Sequence, residues 1–259
     1  MISNREGSLL RDSITMFIRS LKLTFRNPEA LGVAILAPAA IMGVFVFVFG
    51  GALDVGGFSV VNFIVPGVIL LSIGQSAPII SVRLSNEMTK GVIDRFRTMP
   101  IAKSSLLVGH VSSTVLQSIV TVAATIGVAF LVGFRPQAGL IEWLMAASII
   151  VLYVIMTTWM AIFFGVSAKN AESASGFMTM VGILPFLSSG FVPTETMPHV
   201  LRVFAENQPM TPIINSVRAL LLNEPLIHGE LRTAFLWCVG LTVVFYIAAQ
   251  QSFRSKTTR

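Results

Sequence analysis

The sequence predicts an all-α polytopic membrane protein, on three observations. Of its 259 residues, 54% are hydrophobic and only 12% are charged, with a mean hydropathy of +0.81. A soluble domain carries about 25% charged residues, so this chain lacks the polar surface to face water on all sides. Six apolar runs reach the roughly 20 residues that a helix needs to cross a hydrocarbon core about 30 Å thick. The basic residues, finally, gather in alternate loops between those runs, as they do where topology is set by charge.

The six expected spans cover 31–50, 62–82, 105–134, 141–165, 173–191 and 231–250. None alternates apolar with polar residues, so helices are expected rather than a barrel, and lipid leaves backbone groups no partner outside their own segment. The third run exceeds one span and is expected to tilt or project. With both termini placed in the cytoplasm, 14 of the 18 Lys and Arg fall on the inner side. The outer side then holds only Arg135, Arg202, Arg218 and Arg232. A net charge of +6 distributed in this way points to anionic lipid and topology, not to nucleic acid. The single cysteine, Cys238, lies in an apolar run and can form no disulfide within the chain.

Ahead of the first span, residues 8–27 have helical periodicity. Leu10, Ile14, Phe17, Leu21 and Phe25 share one stripe, while Arg11, Arg19, Lys22 and Arg26 share the opposite one. Such a helix lies in the membrane interface with its basic face toward water. It serves either as a plain anchor or as a surface that also touches a partner.

Several chemistries are disfavoured. No ionisable residue sits deep in any of the six runs, which disfavours an ion-coupled secondary carrier. Ser188-Ser189-Gly190 has no histidine in an apolar run to activate it as a nucleophile. No lysine follows a glycine, so there is no phosphate-binding loop of the GxxxxGK type. The chain is therefore expected not to be an enzyme, and any uphill work must be driven through a cytoplasmic contact.

The charged island at 83–103 is the expected contact. Arg83 and Glu87 are four apart, as are Lys90 and Asp94, so a short helix can hold both pairs. Gly91 interrupts it and Pro100 marks the return to the membrane. Val92, Ile93, Phe96 and Met99 form an apolar plug rimmed by Asp94, Arg95 and Arg97, the composition of a helix that docks into a cleft. A solvated loop is the alternative.

On the outer side, residues 193–229 hold Pro193, Pro198, Pro209 and Pro212 with apolar stripes too short to span, Phe204 among them. Two short helices are expected, starting at Pro198 and at Pro212, the second capped by Thr211. They either dip into the outer leaflet as a lid or lie on its surface.

Together these segments resemble the membrane subunit of type-2 ABC exporters (ABC-2 type), most closely the daunorubicin-resistance-type drug-efflux permeases. The matching residues are Val48-Phe49-Gly50-Gly51-Ala52, Pro66-Gly67, the island from Gly91 to Pro100 with Gly109 after it, Gly190-Phe191-Val192-Pro193, and Asn207 through Pro212. The resemblance covers nearly the whole chain as a single domain, 1–259. It implies six spans, an N-terminal connecting helix (Arg11, Arg19, Lys22, Arg26), and a coupling helix between spans two and three. It further implies an outer re-entrant pair gated by Pro193, Pro198, Phe204, Pro209 and Pro212. Glu87, Gly91, Asp94, Arg95, Phe96, Arg97 and Pro100 would meet a separate nucleotide-binding subunit. ATP and Mg would sit on that subunit, with no cofactor bound by this chain, and a second permease copy would complete the pathway. Gln208 departs from the more usual Asn-Pro pairing, and His110 stands where relatives often have Arg. The function implied is ATP-driven export of a hydrophobic or amphipathic drug, antibiotic or lipid-like molecule across a bacterial cytoplasmic membrane. A lipid-linked glycan or polyketide lipid is the alternative cargo.

Overall fold

The computed structural model describes residues 28–51, 59–89, 103–225 and 229–257. All regular structure in these residues is helical. We number the helices α1 (Pro28–Gly43), α2 (Val60–Thr89), α3 (Lys103–Val132), α4 (Leu140–Ser167), α5 (Ala171–Ile183), α6 (His199–Asn207), α7 (Met210–Leu222) and α8 (Glu230–Thr257).

Four stretches are long and apolar enough to cross a membrane by themselves: Val60–Asn86, Thr114–Val132, Leu140–Ser167 and Glu230–Phe253. They coincide with the expected second, third, fourth and sixth runs. The other two runs make shorter apolar helices, Leu36–Val48 and Ala171–Leu187, and Met210–Leu222 joins this class. In the first run α1 gives way at Val44 to a five-residue π turn ending at Val48. In the fifth, α5 stops at Ile183 and tightens into a 3-10 turn, Leu184–Leu187, around Pro185. The run counted to Phe191 extends past the helix through Ser188, Ser189 and Gly190, which are buried turn residues. Residue counting therefore overstated the helix length.

α2 is the central element. It packs against α1, α3, α4, α5 and α7, while α8 lies against α4 and α7. Its interface with α5 is built from small residues at heptad spacing. Ser81 donates to the Ala174 carbonyl at 3.2 Å, Gly74 faces Gly182, and Gly67 abuts Gly190. A Cβ placed on Gly67 would lie 2.6 Å from the Gly190 carbonyl oxygen. Gly165 of α4 is equally tight, its Cβ position 2.8 Å from the Ser81 carbonyl oxygen. Helices gain no hydrophobic drive for association from lipid, so small residues that admit close backbone approach are what hold such an interface.

The turns are capped locally. Asn170 caps α5 through its side chain, accepting from the Ser173 amide at 2.8 Å. At the end of α3, Gly133 adopts φ +109° and the Arg135 guanidinium donates to the carbonyls of Phe130 and Phe134. A cation closing the last carbonyls of a helix satisfies groups that otherwise lack partners. The Arg135 amide donates to Asn62 Oδ1 at 3.1 Å and the Gln137 amide to the Leu221 carbonyl at 3.0 Å. These two bonds tie the α3–α4 turn to the start of α2 and the end of α7.

Candidate functional site

The expected connecting helix, with Arg11, Arg19, Lys22 and Arg26, lies outside the described residues, as do Gly91, Asp94, Arg95, Phe96, Arg97 and Pro100. Of the expected coupling residues, Glu87 falls within them, on the last turn of α2. The helix therefore runs past the end of the expected span at 82 and reaches the island as continuous helix. At 30 residues, α2 is about 45 Å long by a rise of 1.5 Å per residue, which exceeds the hydrocarbon thickness.

The residues expected to form the outer gate all lie in the described region. Pro193 precedes a 3-10 turn, Thr194–Thr196, and its carbonyl accepts from the Thr196 hydroxyl at 2.8 Å. Pro198 stands immediately before α6, as expected. Phe204 is half exposed on α6, beside the exposed Arg202–Glu206 ion pair of 2.8 Å. The second helix departs from expectation: α7 begins at Met210, with Pro209 preceding it, so Pro212 sits inside the first turn and Thr211 is no cap. The Thr211 hydroxyl instead donates to the Ala205 carbonyl at 2.5 Å, binding α7 to α6. A proline in a first turn removes only an amide that has no helical partner, which is why the helix can start earlier.

Beneath this pair, four segments converge on Arg218. It is buried, 7% exposed, and no other charged side chain among the described residues is buried. Nε donates to the Phe63 carbonyl at 3.1 Å, Nη2 to the Ser189 carbonyl at 2.5 Å, and Nη1 to Asn215 Oδ1 at 3.0 Å. The guanidinium also stacks over the Phe63 ring, 3.9 Å from its centroid. Ser189 donates its hydroxyl to Asn215 Oδ1 at 2.6 Å, and Asn215 Nδ2 donates to Glu230 Oε1 at 2.8 Å. One cation thus joins α2, the turn after α5, α7 and, through Asn215, the first residue of α8. A guanidinium suits this role because its planar fork serves three acceptors at fixed angles and stays charged.

The turn after α5 is held from below as well. Gln208 Nε2 donates to the carbonyls of Leu187 (2.5 Å) and Leu184 (3.4 Å). Ser188 donates its hydroxyl to the Pro185 carbonyl at 2.6 Å and accepts from the Gly190 amide at 3.2 Å. Both serines are engaged in holding the turn. Phe191 stacks between Phe45 and Phe186 at 4.6 and 4.9 Å, bringing the π turn after α1 to the same place. Burial pushes the Glu224 carboxyl up, and the Arg218 charge pulls it part of the way back.

The motifs Pro66-Gly67, Gly190–Pro193 and Asn207–Pro212 are therefore one structural unit, though far apart in the chain. Sequence reasoning missed Arg218, Asn215 and Phe63. The available signal was one Arg within an otherwise apolar helix, which was counted only as an outer-side charge.

The short helices α6 and α7 are thus locked to the long central helix α2 through one buried cation. The sequence pattern of the ABC-2 type transporter family matches residues 12–222, and the chain belongs to that family. It is an integral membrane protein. It is 29% identical over 233 residues to the daunorubicin resistance ABC transporter permease protein DrrB1 of Streptomyces coeruleorubidus, covering 89% of this chain and 79% of that one. It is 24% identical over 230 residues to the probable doxorubicin resistance ABC transporter permease protein DrrC of Mycobacterium tuberculosis (strain H37Rv), covering 87% and 82% respectively.

Proposed function

We propose that this chain is the membrane subunit of an ATP-driven exporter, moving a hydrophobic or amphipathic compound out of the cytoplasm or the inner leaflet of a bacterial cytoplasmic membrane. The reading is carried by one observation: α2 is a single helix from the Gly67–Gly190 contact to Thr89, inside the charged island. Movement imposed on the island would reach the Arg218 node through that rod. ATP and Mg belong to a separate nucleotide-binding subunit that docks on Glu87–Pro100 and the N-terminal basic helix. The runs at 31–50 and 173–191 complete six spans, with both termini in the cytoplasm and α6 and α7 re-entering from the outside. Two copies, or one with a similar partner, enclose the pathway. The exposed apolar side chains Leu36 and Phe47 after the start of α1, and Phe177, Met180 and Ile183 on α5, support a lateral partner on that side. Both relatives above carry drug-resistance names, which supports a drug or antibiotic as cargo.

The test replaces Arg95→Ala together with Phe96→Ala and measures ATPase activity of the assembled complex with cargo in vesicles. Loss of cargo-stimulated ATPase with normal membrane insertion is expected. Unchanged transport would overturn the assignment, and transport that survives ATP depletion but collapses with an uncoupler would establish the ion-coupled alternative.

A further inference from the structure

α2, α3, α4 and the end of α7 enclose a cavity of about 230 Å³. Its floor is apolar: Ile69, Ile150 and Leu221 are all buried. Its mouth lies between Ile119 and Ala123 of α3 and Ala147 and Val151 of α4, which are exposed. Both helices contain stretches fit to cross a membrane, so the mouth opens sideways onto hydrocarbon rather than onto water. At 1.5 Å per residue it sits about 10–20 Å below the α3–α4 turn.

One polar group belongs to this cavity. Ser118 lines it and is 2% exposed, yet its Oγ has no hydrogen-bond partner. Thr121 and Thr125 on the same helix each close onto the carbonyl four residues back, at 3.0 and 2.8 Å, as hydroxyls in apolar helices do. Ser118 does not, and leaving a buried hydroxyl unpaired costs about 1–3 kcal/mol. Alanine at both mouth positions, 123 and 147, keeps the gap open where larger side chains would fill it.

We propose that this cavity is a lateral binding site for a small neutral amphiphile dissolved in the bilayer, its apolar body inside and a single hydrogen-bonding group on Ser118. A dry cavity of about 150 Å³ accommodates benzene, so the space here fits a body of one or two fused rings. A phospholipid tail is the poorer occupant. Ser118 lies about 21 Å below the outer end of α3, at a depth where a tail offers no polar atom. This site goes beyond the exporter reading and does not depend on it, since binding is read without ATP or a partner subunit.

Trp143 lines the cavity and reports occupancy. The full chain with Trp159→Phe and Trp237→Phe, in bilayer discs, is titrated with a brominated naphthol and with the matching bromonaphthalene that lacks the hydroxyl. Saturable quenching of Trp143 is expected, with the naphthol binding about tenfold more tightly. Ser118→Ala should bring the two within about twofold without weakening the naphthalene, and Ala123→Leu with Ala147→Leu should abolish saturable quenching by both. Non-saturable quenching, or equal binding of the two probes to the unmodified site, overturns the proposal. So does a third result: quenching by chain-brominated phospholipid that the Ala123→Leu, Ala147→Leu variant removes, which would make the occupant a lipid tail.

Discussion

The Arg218 guanidinium lies 3.9 Å from the centroid of the Phe63 ring while its Nε donates to the carbonyl of that same residue at 3.1 Å. Side chain and backbone of one α2 residue are thus both held by one cation from α7. The same guanidinium reaches Ser189 and Asn215, so its loss removes a donor from acceptors on three segments.

Replacing Arg218 tests this latch. A buried acceptor left without a donor costs about 1–3 kcal/mol, and the Ser189 carbonyl loses its donor, so Arg218→Met is expected to destabilise the purified protein by about that much. Arg218→Lys should recover less than half, because one ammonium cannot span the fork. Thermal unfolding in detergent reads both, and a Met variant melting like the parent would show that the latch contributes nothing.

The Gly67–Gly190 contact gives a prediction with an internal control. Gly67→Ala must separate α2 from the turn after α5, at a cost of about 1–3 kcal/mol for overpacking. Gly127→Ala on α3 meets nothing within 4 Å and should be neutral or gain up to about 1 kcal/mol from helix propensity. Equal melting temperatures for the two variants would contradict the close approach.

Gln208 holds the carbonyls of Leu187 and Leu184 where the 3-10 turn ends. Gln208→Asn is one methylene shorter and should lose both bonds, behaving like Gln208→Ala with a loss of about 1–3 kcal/mol. Faster amide exchange at 188–190, measured by mass spectrometry, is the expected signature. Unaltered exchange would mean that Gln208 is not what closes this turn.

Glu224 supplies a pH dependence. Its folded-state pKa is raised by burial more than Arg218 lowers it. Between its unfolded and folded pKa values the folded chain binds more protons, so stability falls as pH rises through that window. Glu224→Gln should therefore stabilise the protein above the window and leave it unchanged below. Melting curves at pH 4 and pH 7 distinguish this from a carboxylate that Arg218 stabilises, for which the variant would be the weaker one at pH 7.

The four long helices were legible because hydropathy and length act locally along the chain. The shorter first and fifth helices were less so. Ser188-Ser189-Gly190 is buried in a turn between apolar neighbours, and a hydropathy average over the run does not mark where the helix within it stops. The start of α7 was misplaced by two residues because Thr211-Pro212 has the form of a cap, whereas the hydroxyl is taken by Ala205. The prolines at 193, 198, 209 and 212 are visible in the sequence, but the cation that organises this region is there only one more outer-side charge.

Membrane residence, helicity, the segregation of basic residues and the lack of a nucleotide loop follow from residue types and their order, since each depends on neighbours a few positions away. The meeting of Phe63, Gly67, Ser189, Gln208, Arg218 and Glu230 depends on how the helices pack. The Arg218–Phe63 bond spans 155 positions in the chain, and no local periodicity encodes a partner that distant. Packing also set the cavity beside Ser118, because a void exists only where α3 and α4 fail to close over α2.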